Sequence, residues 1–397
     1  MTINEETMTP KERFDYRIKL LRDAADHKKT ERIPFMGNIQ QWMYLDAGYN
    51  QLEAARDYEK CEEAGRMLLS KYKMDIMSSG AGCVRNPTQL YDALGQNATW
   101  AASDDGNNIN AIFEDEMIKA DEYDELINNF EATVWEKAMR RNFPKTKDFT
   151  VEEWVNAAKA AKELMEARTN VAKHLREEFG NADEISVARA SMFVGNLLNT
   201  YRGIKGLSMD MRRQPDKVAE LCEKRDAMTI QNAINTLSKI EGHNMNEPYD
   251  ITMGFLAHVI MTPKQFERYY VPGLEKVGRF CEEHGKQMSL NTEGDFLRFG
   301  DYFNDFKKGV LTAIVEMDDP YEVKKKLPNL AIIGGLSVDL MGNSTPKKCV
   351  DMAKRAIDEL GRDGGLWLSC NKFVTYPYDM NSENLKAVSE FVVEYRA

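Results

Sequence analysis

The chain has 397 residues, 64 acidic against 53 basic side chains and a formal net charge of −11, and without a large basic block it is a poor partner for nucleic acid. At 43% hydrophobic and 29% charged, its composition suits a folded protein with a large core and speaks against disorder. No apolar run reaches the roughly 18 residues that span a bilayer, the polar start from Met1 to Glu12 is unlike a signal peptide, and six scattered cysteines without a CxxC pair argue against a disulfide framework. The expectation is a cytoplasmic protein, free of membrane segments, with mostly buried thiols.

Eight short apolar runs, each followed by turn residues and a helical pattern, give the alternation that builds parallel sheets. They are 33–36, 74–77, 185–193, 249–253, 287–291, 310–315, 330–333 and 366–370. Eight units predict an α/β fold, a (β/α)8 TIM barrel formed by residues 1–397 as one domain. No GxGxxG follows the first run, which weighs against a dinucleotide-binding sheet. Helix starts are signalled by Thr150 with Glu153, by Thr262-Pro263-Lys264-Gln265 and by Thr345-Pro346. Residues of about 104–181 exceed what one barrel crossover needs and predict a helical insertion between strands two and three. Its stripe of Trp154, Ala158, Ala161, Leu164, Met165 and Val171 would pack on the barrel wall or cover the strand mouth.

A barrel carries its chemistry on strand ends and the loops after them. Those positions are Asn38 and Gln40, Ser78 and Ser79, Gly195 and Asn196, His258, Asn291 to Asp295, Glu316, Asp339, and Cys370 to Lys372. Glu293, Cys370 and His258 together offer a carboxylate, a thiolate and an imidazole, which suits a zinc ion with an open fourth position; Asn291 or Asp295 is an alternative third ligand. Each residue alone has an ordinary structural explanation: a solvated carboxylate, a buried thiol, a histidine bonded in the wall.

The segments Gly203-Ile204-Lys205-Gly206 with Gln214-Pro215-Asp216-Lys217-Val218, Met261 to Phe266, Ile333-Gly334-Gly335-Leu336, Gly364 to Cys370 and Asn381 to Leu385 resemble the uroporphyrinogen decarboxylase superfamily, particularly its corrinoid-dependent methyltransferase branch. The resemblance covers about two thirds of the chain, from 186 to 395, and extends weakly to Ile33-Pro34-Phe35. It implies a barrel enzyme, a zinc ion, a corrinoid (cobalamin) carried by a partner protein and, by analogy, a homodimer. The decarboxylases resemble one another in an arginine-rich segment after the first strand; here it reads Gly37-Asn38-Ile39-Gln40-Gln41-Trp42, without arginine. In the thiol-methylating branch a His-x-Cys and a later Cys hold zinc. Here they correspond to Asn291, Glu293 and Cys370, a harder donor set suited to an ether oxygen.

The resemblance therefore implies methyl transfer from an O-methylated, methoxyaromatic donor to Co(I), with Glu316 or Asp339 able to supply a proton. Trp42, Tyr44, Met192, Phe193, Met253, Phe255, Phe296, Phe373 and Tyr376 would line an aryl pocket, although such residues fill any barrel wall. Transfer from methylcorrinoid to a thiol, porphyrinogen decarboxylation and a non-catalytic scaffold are the alternatives.

Overall fold

The computed structural model describes residues 5–78, 82–95, 106–107, 116–182 and 186–396. Seven parallel strands form one sheet: β1 (Phe35–Met36), β2 (Ser186–Ser191), β3 (Tyr249–Phe255), β4 (Met288–Thr292), β5 (Leu311–Ile314), β6 (Ala331–Leu336) and β7 (Leu366–Cys370). Their order is β1-β7-β6-β5-β4-β3-β2. From β2 to β7 chain neighbours pair, and β7 returns to β1 through Phe35↔Leu368 and Met36↔Ser369.

The expected strand at 74–77 contributes one paired residue. Ile76 bridges Met36 on one side and Ala182 on the other, both in parallel. Backbone bonds tie the run to β1, Asp75 N–H to the Phe35 carbonyl at 2.9 Å and Gly37 N–H to the Ile76 carbonyl at 3.0 Å, and the Asp75 carboxylate adds to them by accepting the Phe35 N–H at 2.8 Å while held by Arg32 at 2.7 and 2.8 Å. The fold is thus a (β/α)8-type barrel whose ladder is not closed, its seam lying between β1 and β2 at Ile76.

The amino end of the barrel is plugged. Met36, Ile76, Ala182, Tyr249, Ile314, Ile333 and Trp367, drawn from around the ring, form one buried cluster with Phe14, Ile18, Leu21, Ala24 and Ala25 of the helix Pro10–Ala25. Trp367 Nε1 donates to the Leu21 carbonyl at 2.8 Å, and the Tyr249 and Trp367 rings stack at 4.6 Å. Closure at this end leaves the carboxyl ends of the strands as the open mouth.

The helix starts lie where capping chemistry places them: Thr150 and Glu153 box the helix Val151–Phe179, Thr262 and Gln265 box Pro263–Tyr269, and Thr345 caps Pro346–Ala356. Val151–Phe179 ends at Gly180 (φ 66°) and leads straight to the Ala182 bridge, so it is the crossover into β2. It packs on the helices Pro10–Ala25, Tyr58–Lys71 and Thr88–Leu94. Its buried face is Ala157, Ala160, Leu164, Val171 and Leu175. Ala158 and Met165 of the expected stripe point outward, Met165 being 60% exposed. All six cysteines are buried thiols outside any disulfide. No helix among the described residues is long and apolar enough to cross a membrane.

Candidate active site at the strand mouth

The end of β1 is strained. Asn38 has φ 54°, a left-handed conformation costly for a residue with a Cβ. It is held there by its neighbours, its carbonyl accepting the Val374 N–H at 3.0 Å and its side-chain amide donating to the Cys370 carbonyl at 3.4 Å. Asn38 Oδ1, both amide atoms of Gln40 and Ser78 Oγ are buried polar atoms without a partner among the described residues. Such atoms cost free energy unless a ligand or water satisfies them, and these four, on three residues, all follow β1 or the Ile76 bridge. Ser79 lies outside the described residues.

A turn after the Ile76 bridge brings in Arg85, which sequence reasoning missed. Its segment is pinned from three directions. Tyr44 Oη donates to the Cys83 carbonyl, Arg168 donates to the carbonyls of Val84 at 2.9 Å and Arg85 at 2.7 Å, and Gln41 Nε2 donates to Asn86 Oδ1 at 2.8 Å. The guanidinium lies 5.2 Å from the Phe373 ring centroid in the loop after β7. Burial lowers the Arg85 pKa, opposed chiefly by the nearby Glu293 carboxylate. The mouth does therefore hold a cation, although none comes from Gly37 to Trp42.

Glu293 follows β4 and Glu316 follows β5, so adjacent strands present two carboxyl groups. One oxygen of Glu316 accepts the Gly294 N–H; two residues on, Asp318 accepts the N–H groups of Phe296 and Leu297 at 2.7 and 2.9 Å. The β5 loop thereby shapes the β4 loop, with Gly294 at φ 69° making the turn. Glu293 is open to solvent yet ringed by protein, and its pKa is raised by burial first and by the Glu316 charge second, against Arg85. The exposure and the burial describe one geometry, a side chain in a concave mouth. A carboxyl group raised beside a second carboxylate retains its proton closer to neutrality and can serve as an acid. Asp339 sits exposed in the first turn of the helix Val338–Asn343, and no described interaction aims it at Glu293.

The four residues expected around zinc are not brought together. Cys370 shares the face of Leu366 and Leu368, in the apolar layer with Cys349 and Ala353, whereas Trp367 points into the lumen cluster. Its thiol is pushed up to about 12 by burial. His258 lies fully buried in the 3₁₀ turn Ala257–Ile260, its ring edge-on to Phe299 at 6.1 Å. Neither ring nitrogen makes a well-formed hydrogen bond among the described residues; burial, then Arg298, lower its pKa to about 4, against the weaker pull of Asp295 and the Phe255 and Asp295 carbonyls. Asn291 is half-buried, opposite Gly254 across β3 and β4. No group of three or more His, Cys, Asp or Glu side chains among the described residues could hold a metal ion, so this donor set does not fit zinc as arranged.

Most of the expected pocket residues are wall. Trp42 donates to the Met380 carbonyl at 3.1 Å, Met192 fills the space over Gly273, and Phe193 packs on Phe130 and Tyr201 at 5.5 and 5.8 Å. Met253 is fully buried in the helix-facing layer, Phe255 stacks on Tyr270 at 4.8 Å and Phe296 meets Phe303 at 5.8 Å. Phe373 and Tyr376 remain half-exposed at the mouth. A 150 Å³ recess between Ser191, Gly195, Asn196, Thr200 and Gly254 opens at the ends of β2 and β3. A larger one, 490 Å³, lies at the opposite end near Arg17, Arg32 and Asp75. Its Arg17 and Arg32 already pair with Glu5 and Asp75, so the chemistry is assigned to the strand mouth.

Residues 142–395 match the family model described as uroporphyrinogen decarboxylase (URO-D). Among solved structures, a methyltransferase from Methanosarcina mazei superposes with a TM-score of 0.58 at 14% sequence identity, covering 98% of this chain and 99% of that one. At that identity the likeness establishes the fold. The search of curated proteins gave no match. The family match spans β2 to β7 and includes Glu293, Glu316 and Cys370, and the chain accordingly belongs to the uroporphyrinogen decarboxylase family.

Proposed function

We propose that this protein is a methyltransferase that moves a methyl group from an O-methylated, methoxyaromatic donor to the Co(I) corrinoid of a partner protein. The observation that carries the reading is the carboxyl pair at the ends of β4 and β5, Glu293 with its pKa raised by burial and by Glu316. Co(I) supplies an electron pair to the methyl carbon, the C–O bond breaks, and its pair goes to the departing oxygen. The barrier lies largely in that leaving group, and a proton from Glu293 onto the oxygen as charge develops is worth roughly 10²–10⁴-fold. Glu316, anchored by the Gly294 N–H, positions the β4 turn, and its charge adds to burial in raising the Glu293 pKa. No step is routed through zinc, because the described side chains form no cluster of three metal ligands. The methyltransferase named among the solved structures supports the reading by fold.

The test is to mix the protein with a reduced corrinoid protein and a methoxylated aromatic, or with a methylated corrinoid protein and a thiol, and to follow cobalt by its visible spectrum. Methylation of Co(I) by the ether supports the proposal. Turnover only in the thiol direction would overturn it.

A further inference from the structure

We infer that Gly254 is a specificity-determining residue, the floor of a subsite that takes one neutral ring of the methyl donor. The identity of the donor rests on the proposed reaction, whereas the subsite stands on its own geometry. Gly254 is the sixth of seven residues in β3, where a glycine loses more backbone entropy than other residues and packs nothing. Such a glycine is ordinarily explained by a bulge, by a left-handed backbone or by another segment passing close over it. None of these applies. The pairing is continuous on both sides, Gly254 facing Ser191 on β2 and Asn291 on β4. Its φ is not among the positive ones, and a Cβ built on it would meet no heavy atom of the described residues within 4 Å beyond its chain neighbours. The remaining reason for a bare strand position is a ligand that comes close to the backbone.

The space has a size and a chemistry. Ile251, Met253 and Phe255 point into the helix-facing core, so strand alternation turns Gly254 toward the mouth. The recess over it measures 150 Å³, a volume that holds one benzene-sized ring and excludes a fused pair. Its far wall is polar: Asn196, Asn199 and Thr200 share one face of the helical turn after β2 through their i, i+3, i+4 spacing, and Ser191 adds a hydroxyl beside Gly254. No charged side chain among the described residues lines the recess, so what it holds is neutral and hydrogen-bonded by amides and hydroxyls. The recess also adjoins the proposed chemistry, because the Glu293 N–H donates to the carbonyl of Phe255, the residue after Gly254, at 3.3 Å. A ring over Gly254 therefore lies one strand away from the carboxyl that would protonate its ether oxygen.

Calorimetric titration of the full chain with 4-methoxybenzyl alcohol, a single neutral ring, and with 6-methoxy-2-naphthol, a fused pair, in wild type, Gly254→Ala and Gly254→Val, tests this without any corrinoid protein. Wild type is expected to bind the single ring at least about 10-fold more tightly than the fused pair, the scale on which a pocket resolves small differences in size. Gly254→Val fills the floor with a side chain that suits a strand, and should weaken the single ring by about 10- to 100-fold, with Gly254→Ala showing a smaller loss. Thermal melts show whether each variant is folded, and Gly254→Ala carries the test if Gly254→Val is not. No measurable binding of the single ring to wild type, equal affinity for the two ethers, or undiminished affinity in a folded variant overturns the inference. Gly254-dependent binding without any cobalt methylation would leave the subsite standing and remove the proposed reaction, whereas methylation by neutral ethers at an undiminished rate in Gly254→Val would do the reverse.

Discussion

Asp226 lies beneath the mouth, on the helix Pro215–Leu237, 7% exposed, with one carboxylate oxygen accepting the Phe193 N–H at 2.6 Å. Burial raises its pKa from 3.8 to about 7, the Phe193 bond opposing. Below about pH 4 the folded and unfolded chains both carry the proton and there is no penalty. As pH rises the folded chain binds more protons than the unfolded one, so stability falls until the group ionises near 7. At about 1.36 kcal/mol per pH unit, the loss is about 1.5 kcal/mol at pH 5 and about 4 kcal/mol by pH 8. Asp226→Asn keeps an oxygen for the Phe193 N–H and removes the charge. It should therefore be more stable than wild type at pH 8 by up to about 4 kcal/mol, with the advantage shrinking toward pH 5. Denaturant melts of both proteins at several pH values measure this. Identical pH slopes for the two proteins would refute the reasoning.

Arg22 donates to Asp250 at 3.2 Å and to Gln287 at 3.0 Å, with 3% and 1% exposure for the ion pair. Arg22→Met should cost about 3–5 kcal/mol, since Asp250 is left buried; a melt within a degree of wild type would show that His243 and the Gln287 N–H suffice. A Cβ at Gly65 would lie 2.2 Å from Cys83 Sγ, so Gly65→Ala should destabilise by about 1–3 kcal/mol through overpacking despite its gain in helix propensity. Adding Cys83→Ala should recover most of that loss, and no recovery would place the strain elsewhere. Trp367→Ala, opening the plugged end, should cost about 3–5 kcal/mol in chemical denaturation, and a loss under 1 kcal/mol would mean that the lumen collapses around it.

The strands were legible because each is a short apolar run bounded by turns, and β7 spans 366–370 as expected. The run at 74–77 takes the second strand's place in the ring, bonded to β1 through the Asp75 N–H and the Ile76 and Met77 carbonyls, but only Ile76 pairs on both sides and the Asp75 side chain adds a bond to Phe35, which a short apolar run does not announce. The positions of Glu293 and Glu316 followed from the strand-end rule. Cys370 followed it too, but the rule fixes a level in the barrel and says nothing of a face; the alternation of Leu366, Leu368 and Cys370 against Trp367 and Ser369 held that information in the sequence. His258 sits in a wall whose rings, Phe266 and Phe299, come from distant segments and stack at 4.2 Å, which no local pattern shows. Arg85 lies in an irregular turn, where its importance arises only from residues 41, 44, 168 and 373 meeting around it.

The central claim is that Glu293 delivers a proton to the departing oxygen. Its most direct test is single-turnover methylation of a Co(I) corrinoid protein by aryl methyl ethers whose phenols differ in acidity, with wild type and Glu293→Gln. The account predicts that wild type forms methylcobalt from every ether, and that Glu293→Gln is slower by about 10²–10⁴-fold on ethers of weakly acidic phenols, with the deficit shrinking as the phenol becomes more acidic. Equal rates for the two proteins, or a deficit independent of the leaving group, would contradict it.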